Sequence, residues 1–166
     1  MLLIVGHGPS VLCGLGDLID QQTVVRLKDG LTPIMRKDSK NWGTRTDYLC
    51  ARSLVFDLGK FPYWWFNDPP KWLNYYQSFN PRHKKPSTGL CAVFMAIDRL
   101  APKEIALLGY DRLLNPNDMK SRKAMDDIKY TYSLYGHDQR AEHECLMSLP
   151  VKIIDFRKHC EAKEET

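Results

Sequence analysis

The chain contains no apolar stretch near the roughly 20 residues that span a bilayer. Its apolar opening, Met1 to Val5, has neither the basic flank nor the small-residue cleavage site of a secretory signal. It also has no CxxC pair: Cys13, Cys50, Cys91, Cys145 and Cys160 are odd in number and widely separated. That pattern argues against a zinc site and predicts reduced thiols of a cytoplasmic protein rather than a disulfide frame. Strong charge is missing as well. The formal net charge is +4 with Lys and Arg scattered, which favours a small anionic partner slightly and makes a nucleic-acid surface unlikely. Internal repeats and low-complexity tracts are absent.

What is present fits one domain over 1–166. A chain of 166 residues, 43% hydrophobic, can bury a substantial core. Leu2 to Val5 reads as a buried parallel strand ending in Gly6-His7-Gly8-Pro9-Ser10. Strand then glycine turn is the opening of a nucleotide-binding βα unit, in which the backbone approaches a ligand closely and a helix from Pro9 and Ser10 aims its N–H groups at it. The third glycine of the dinucleotide fingerprint is missing, so NAD is a poor expectation. His7 reads equally as a ligand contact or as a polar strand-end residue.

Thr23 to Leu27 predicts a second strand, residues 29–42 a loop, and Asp47 to Phe56 a third strand. Arg26, Lys28 and Arg45 fall near strand ends, although each taken alone reads better as a solvated surface cation. Phe61 to Phe79 is rich in Trp and Tyr without a clean period; an acceptor-binding wall and core packing both fit. His83 to Asp111 is the most informative stretch. Pro86, Ser87, Thr88 and Gly89 start a helix whose apolar face is Leu90, Val93, Phe94 and Ile97, and Ile105 to Leu108 forms the following strand. Ser87 and Thr88 either hold an anion at the helix start or only cap the helix. Residues 112–126 read as a polar loop. Gly136-His137-Asp138 opens a helix to about Leu149, and Val151 to Ile154 is the last strand. Strands alternating with helices imply an α/β fold, doubly wound, with a mostly parallel sheet and helices on both faces.

Three pieces in order, LLIVGHGPS, VVRLK and WGTRTDYL, resemble the large sialylmotif of the sialyltransferase family. KKPSTGLCAVFMAIDRLAPKEIALLGYD resembles its small motif, and His137-Asp-Gln-Arg-Ala-Glu142 its very small motif. Tyr130 and Tyr132 correspond loosely to the aromatic motif III. The resemblance runs from residue 2 to residue 149, and its most specific parts are the Pro-Ser-Thr-Gly helix start and the His–Glu pair. It implies a Rossmann-like sialyltransferase-type fold and inverting transfer of a sugar from a nucleotide-sugar donor, CMP-sialic acid or similar, to an acceptor hydroxyl. His137 would be the general base, its ordinary pKa near 6.5 suiting proton acceptance at neutral pH, and Glu142 would orient a loop or a substrate hydroxyl. Ser87, Thr88 and Gly89 would hold the leaving phosphate, with Gly6, His7, Gly8, Lys28 and Thr44 completing the donor site.

The family's Asn residues in the turn and in Arg-x-Asn are His7 and Lys28 here, and the cysteines that join its two main motifs have no counterparts. A minimal bacterial or phage-type version, without anchor or stem, is the expectation. No DxD-like motif stands at a strand end, and Asp17 and Asp20 read as a helix surface, so no metal and no cofactor are expected. The partners expected are a small-molecule nucleotide sugar, an acceptor the sequence does not name, and a further copy of the chain if it assembles. A non-catalytic nucleotide-binding protein and a nucleotide-sugar hydrolase of the same fold are the alternatives.

Overall fold

The structure is a computed structural model and describes residues 1–27, 38–51, 62–65, 70–80, 85–116 and 138–160. Among the described residues, six strands form a single sheet: β1 (Leu2–Val5), β2 (Thr23–Leu27), β3 (Tyr48–Ala51), β4 (Tyr63–Trp65), β5 (Glu104–Leu108) and β6 (Lys152–Asp155). They lie in the order β4-β3-β2-β1-β5-β6 with every pairing parallel. The short apolar strands are buried on both faces, as a parallel sheet flanked by helices requires.

Alternation along each strand sorts the side chains into two cores. Leu2, Ile4, Val25, Ile105 and Leu107 face α3 (Pro70–Phe79), α4 (Thr88–Leu100) and α6 (Gln139–Met147). Leu3, Val5, Val24, Ala106 and Leu108 face Val11, Leu15, Ile19, Trp42 and Phe156 on the other side, beside α1 (Gly16–Asp20) and α2 (Ser39–Trp42). The doubly wound arrangement expected from the alternating pattern is therefore the observed one. Helix α4 lies along the first core: seven consecutive residues, Leu90 to Ala96, are buried, and the Phe94 ring stacks on Trp72 at 4.7 Å.

Several local expectations are corrected. The helix expected from Pro9 is a four-residue 3-10 turn, Pro9–Leu12, and α1 follows separately. The loop expected over 29–42 contains α2, capped by the Asp38 carboxylate on the Asn41 amide. The third strand is Tyr48–Ala51, shorter than expected, and residues 52–61 lie outside the described residues. Within the aromatic segment, Trp64, Trp72 and Tyr76 are buried, so these three serve core packing. Residues Asp111–Leu114 form a short helix, α5, where a loop was expected. Arg26 is not a surface cation: it is 3% exposed, its guanidinium donating to the Trp42 and Arg45 carbonyls and the Thr46 hydroxyl. Burial pushes its pKa down to about 10, opposed by the nearby Asp20 charge, and leaves it protonated at neutral pH. The expectation of five reduced thiols also fails, because the fold brings Cys13 and Cys160, 147 positions apart, together as a disulfide with Cα atoms 5.5 Å apart.

Truncating Phe94 removes both a filled volume and a stacking partner. Phe94→Ala is expected to lower the free energy of unfolding by about 3–5 kcal/mol, read as a lower urea midpoint with an unchanged slope.

Candidate functional site

The strand order reverses between β1 and β5, and such a reversal opens a crevice at the carboxyl ends of the two strands. Two glycine turns meet there. Gly6 donates to the Leu108 carbonyl at 2.7 Å, and Gly8 to the Gly109 carbonyl at 2.8 Å. A Cβ on Gly6 would lie 2.6 Å from the Gly109 oxygen and 3.0 Å from the Tyr110 ring, so a side chain has no room. Gly109 has φ +73, a conformation that favours glycine. His7, half-buried, stands between the two packed glycines.

Tyr110 joins this turn to the start of α4. Its ring lies 3.0 Å from where a Cβ on Gly89 would be, and its hydroxyl donates to the Gly89 carbonyl at 3.1 Å. Ser87 caps α4, its hydroxyl accepting from the Leu90 amide at 3.2 Å, so the helix proper begins at Thr88 and Pro86 precedes the cap. From the other side comes Glu142 on α6, 1% exposed, whose carboxylate accepts from the Ser87 amide at 2.5 Å. The helix start thus has two of its early amides committed. Those of Thr88 and Gly89 have no hydrogen-bond partner among the described residues. Unpaired amides at the first turn of a 13-residue helix carry partial positive charge and suit an anion.

The amide of Ser10 is used differently from expectation. The Asp111 carboxylate, 4% exposed, accepts from the Ser10 hydroxyl at 2.9 Å and lies near its amide at 3.4 Å. The Ser10 oxygen in turn accepts from the Gly109 amide at 3.0 Å, and Arg157 stands 3.6 Å from Asp111. An internal carboxylate, not a ligand, is the partner of this turn. Tyr110, Asp111 and Arg157 were missed in the sequence. The Gly-Tyr-Asp ending of the strand could have signalled the first two; nothing local to Arg157 signals its role.

Gly6, His7, Gly8, Ser87, Thr88, Gly89 and Glu142 therefore gather around one strand-end crevice. Thr44 is placed elsewhere. Its amide and hydroxyl bind the Asp20 carboxylate at 2.8–2.9 Å, ahead of β3 and at the amino edge of the sheet. Arg45 donates its amide to Asp20 at 2.7 Å and pairs through its side chain with Asp47 at 2.8 Å. Asp20 is thus an anchor for this loop and not a bare helix surface. His137 and Lys28 lie outside the described residues, as do Tyr130 and Tyr132; Asp138, directly after His137, caps α6 by accepting from the Ala141 amide at 3.1 Å.

Burial pushes the Asp20 carboxyl up, but the Arg45 and Thr44 amides, the Thr44 hydroxyl and the Arg26 charge together hold it below its ordinary 3.8. A carboxyl lowered on folding adds stability that is complete above its unfolded value and is lost as pH falls through its folded value. Replacing it by Asp20→Asn is expected to flatten the fall in melting temperature as pH drops below the ordinary carboxyl value of 3.8; a wild-type slope in the variant would remove Asp20 from that account.

No family model matches this chain, and no curated protein matches it. Among solved structures, a mammalian sialyltransferase in complex with Gal-beta-1-3GalNAc-ortho-nitrophenol is similar, with a TM-score of 0.55 and 15% sequence identity. The match covers 93% of this chain and 68% of that one. At that identity the likeness is one of fold, and this chain has the α/β fold of that sialyltransferase.

Proposed function

We propose that the protein is a sialyltransferase-like glycosyltransferase that moves a sugar from a nucleotide-sugar donor to an acceptor hydroxyl with inversion. The observation that carries this reading is the pair of amides, Thr88 and Gly89, that have no hydrogen-bond partner among the described residues, at the head of a long buried helix beside the strand-order reversal. The shared fold with a sialyltransferase supports it.

In this reading the acceptor oxygen attacks the anomeric carbon as the bond to the donor's phosphate oxygen breaks. Charge then develops on the departing phosphate. The Thr88 and Gly89 amides and the α4 dipole meet that charge with donors already in position, which is how fixed dipoles lower a barrier. Glu142, already bound to the Ser87 amide, keeps the phosphate to the inner amides. Its negative charge penalises a diphosphate more than a singly charged diester, because like-charge repulsion grows with each added charge. His137 takes the acceptor proton as general base, and Glu142, through its bond to α4, fixes the helix that begins just after His137. The Gly6-His7-Gly8 turn lies against the nucleoside, with Lys28 as a further cation; Thr44, held by Asp20, has no part in the site. The fixed amides supply the charge stabilisation, so transfer is expected to persist in excess EDTA.

Two substitutions test the roles separately. Thr88→Pro removes one amide at a helix position that tolerates proline, so the melting temperature should hold while affinity for CMP or another nucleoside monophosphate falls about 10-fold or more, the scale of one charged hydrogen bond. Unchanged affinity in the folded variant would move the phosphate elsewhere. His137→Ala should cut transfer roughly 100-fold or more with nucleotide affinity retained. Full activity would end the base assignment, and nucleotide release without an added acceptor would favour hydrolysis.

A further inference from the structure

We propose that the Cys13–Cys160 disulfide is a redox-operated strap that holds the carboxyl-terminal turn against the Ser10–Asp111 cluster and so sets the order of the two glycine turns. The five cysteines divide by position. Cys50, Cys91 and Cys145 are buried in the core beside the helices, whereas Cys13 and Cys160 are half-buried, within reach of a small thiol. Cys13 follows the Pro9–Leu12 turn directly, and the Cys160 sulfur lies 3.7 Å from the Ser10 carbonyl oxygen.

Ser10 is the joint of that region, since its hydroxyl binds both Asp111 and the Gly109 amide. The segment carrying Cys160 crosses the same cluster. Phe156 is 2% exposed in the second core, and its amide donates to the Leu107 carbonyl at 3.0 Å. Arg157 then reaches Asp111 at 3.6 Å while bound to both Asp155 oxygens. The strap is thus fixed at one end by an ion pair to Asp111 and at the other by the disulfide to Cys13.

A dithiol opens it. One thiolate attacks a sulfur of the pair, the other cysteine departs as a thiolate and is protonated, and the second thiol of the reagent resolves the mixed disulfide. The protein gains two electrons and two protons, and the reagent becomes a cyclic disulfide. With the strap open, the segment keeps its Phe156 anchor and the Arg157–Asp111 pair but loses its tie beside Ser10, and the Ser10 joint loosens.

The test uses the full chain without ligand, so its result is independent of the donor reading. Alkylation under denaturing conditions should label three cysteines in the air-oxidised protein and five after dithiothreitol. Reduction should leave the protein folded, lower its melting temperature on the order of 10 °C, and speed amide exchange at least tenfold in residues 6–12 and 109–111. Exchange in Thr88–Leu100 should not change. Cys160→Ser should match the reduced protein whether or not reductant is present. Five labels in the oxidised chain, unchanged exchange in the two turns, or a uniform rise throughout the molecule would each overturn the proposal. Should Cys160→Ser fail to fold, the wild-type comparison with and without dithiothreitol decides the matter alone.

Discussion

A buried carboxylate bonded to a backbone amide organises the crevice. Glu142 accepts from Ser87 with almost no exposure to solvent, and a charge in that setting is tolerable only with strong partners. The bond fixes α6 against the head of α4. Because α4 is buried along most of its length, its amino end cannot drift, and the amides of Thr88 and Gly89 are presented at a fixed place beside the reversal of strand order. The packed core and the polar contact work together: the first supplies rigidity, the second the orientation.

The neighbouring turn is governed by the same logic with the opposite result. At Ser10 a carboxylate of the chain itself, Asp111, fills the donor positions. Two starts of helical structure therefore stand at one crevice, one satisfied internally and one with two amides unpaired among the described residues. In the proposed reading, that asymmetry directs an anionic ligand toward α4. The glycines of the first turn allow close backbone packing on Gly109, so in the proposed reading an incomplete glycine fingerprint is compatible with a phosphate site on a different element.

The strands and α4 were legible because their signals are local. Apolar runs ending in glycine, and a Pro-Ser-Thr-Gly start before a helical period, need no knowledge of distant residues. The sequence singled out both the Pro-Ser-Thr-Gly helix start and Glu142, but not the bond from the Ser87 amide to the Glu142 carboxylate that joins them. What the sequence hid was long-range pairing. Arg26 has the look of a surface cation until the loop after β2 folds its carbonyls over it. Cys13 and Cys160 gave no sign of partnership because nothing in their spacing encodes the approach of the chain's two ends. Thr44 was assigned by its place in a motif, yet its bonds run to Asp20 at the opposite edge of the sheet.

The central claim is that a donor's phosphate rests on two particular amides. An NMR titration of the labelled protein with CMP reads those amides directly. The account predicts that Thr88 and Gly89 show the largest shifts, moving together with one saturation curve, while Thr44 and Arg45 stay fixed. Saturable binding with Thr88 and Gly89 unmoved, and the large shifts at the amino edge of the sheet, would contradict it.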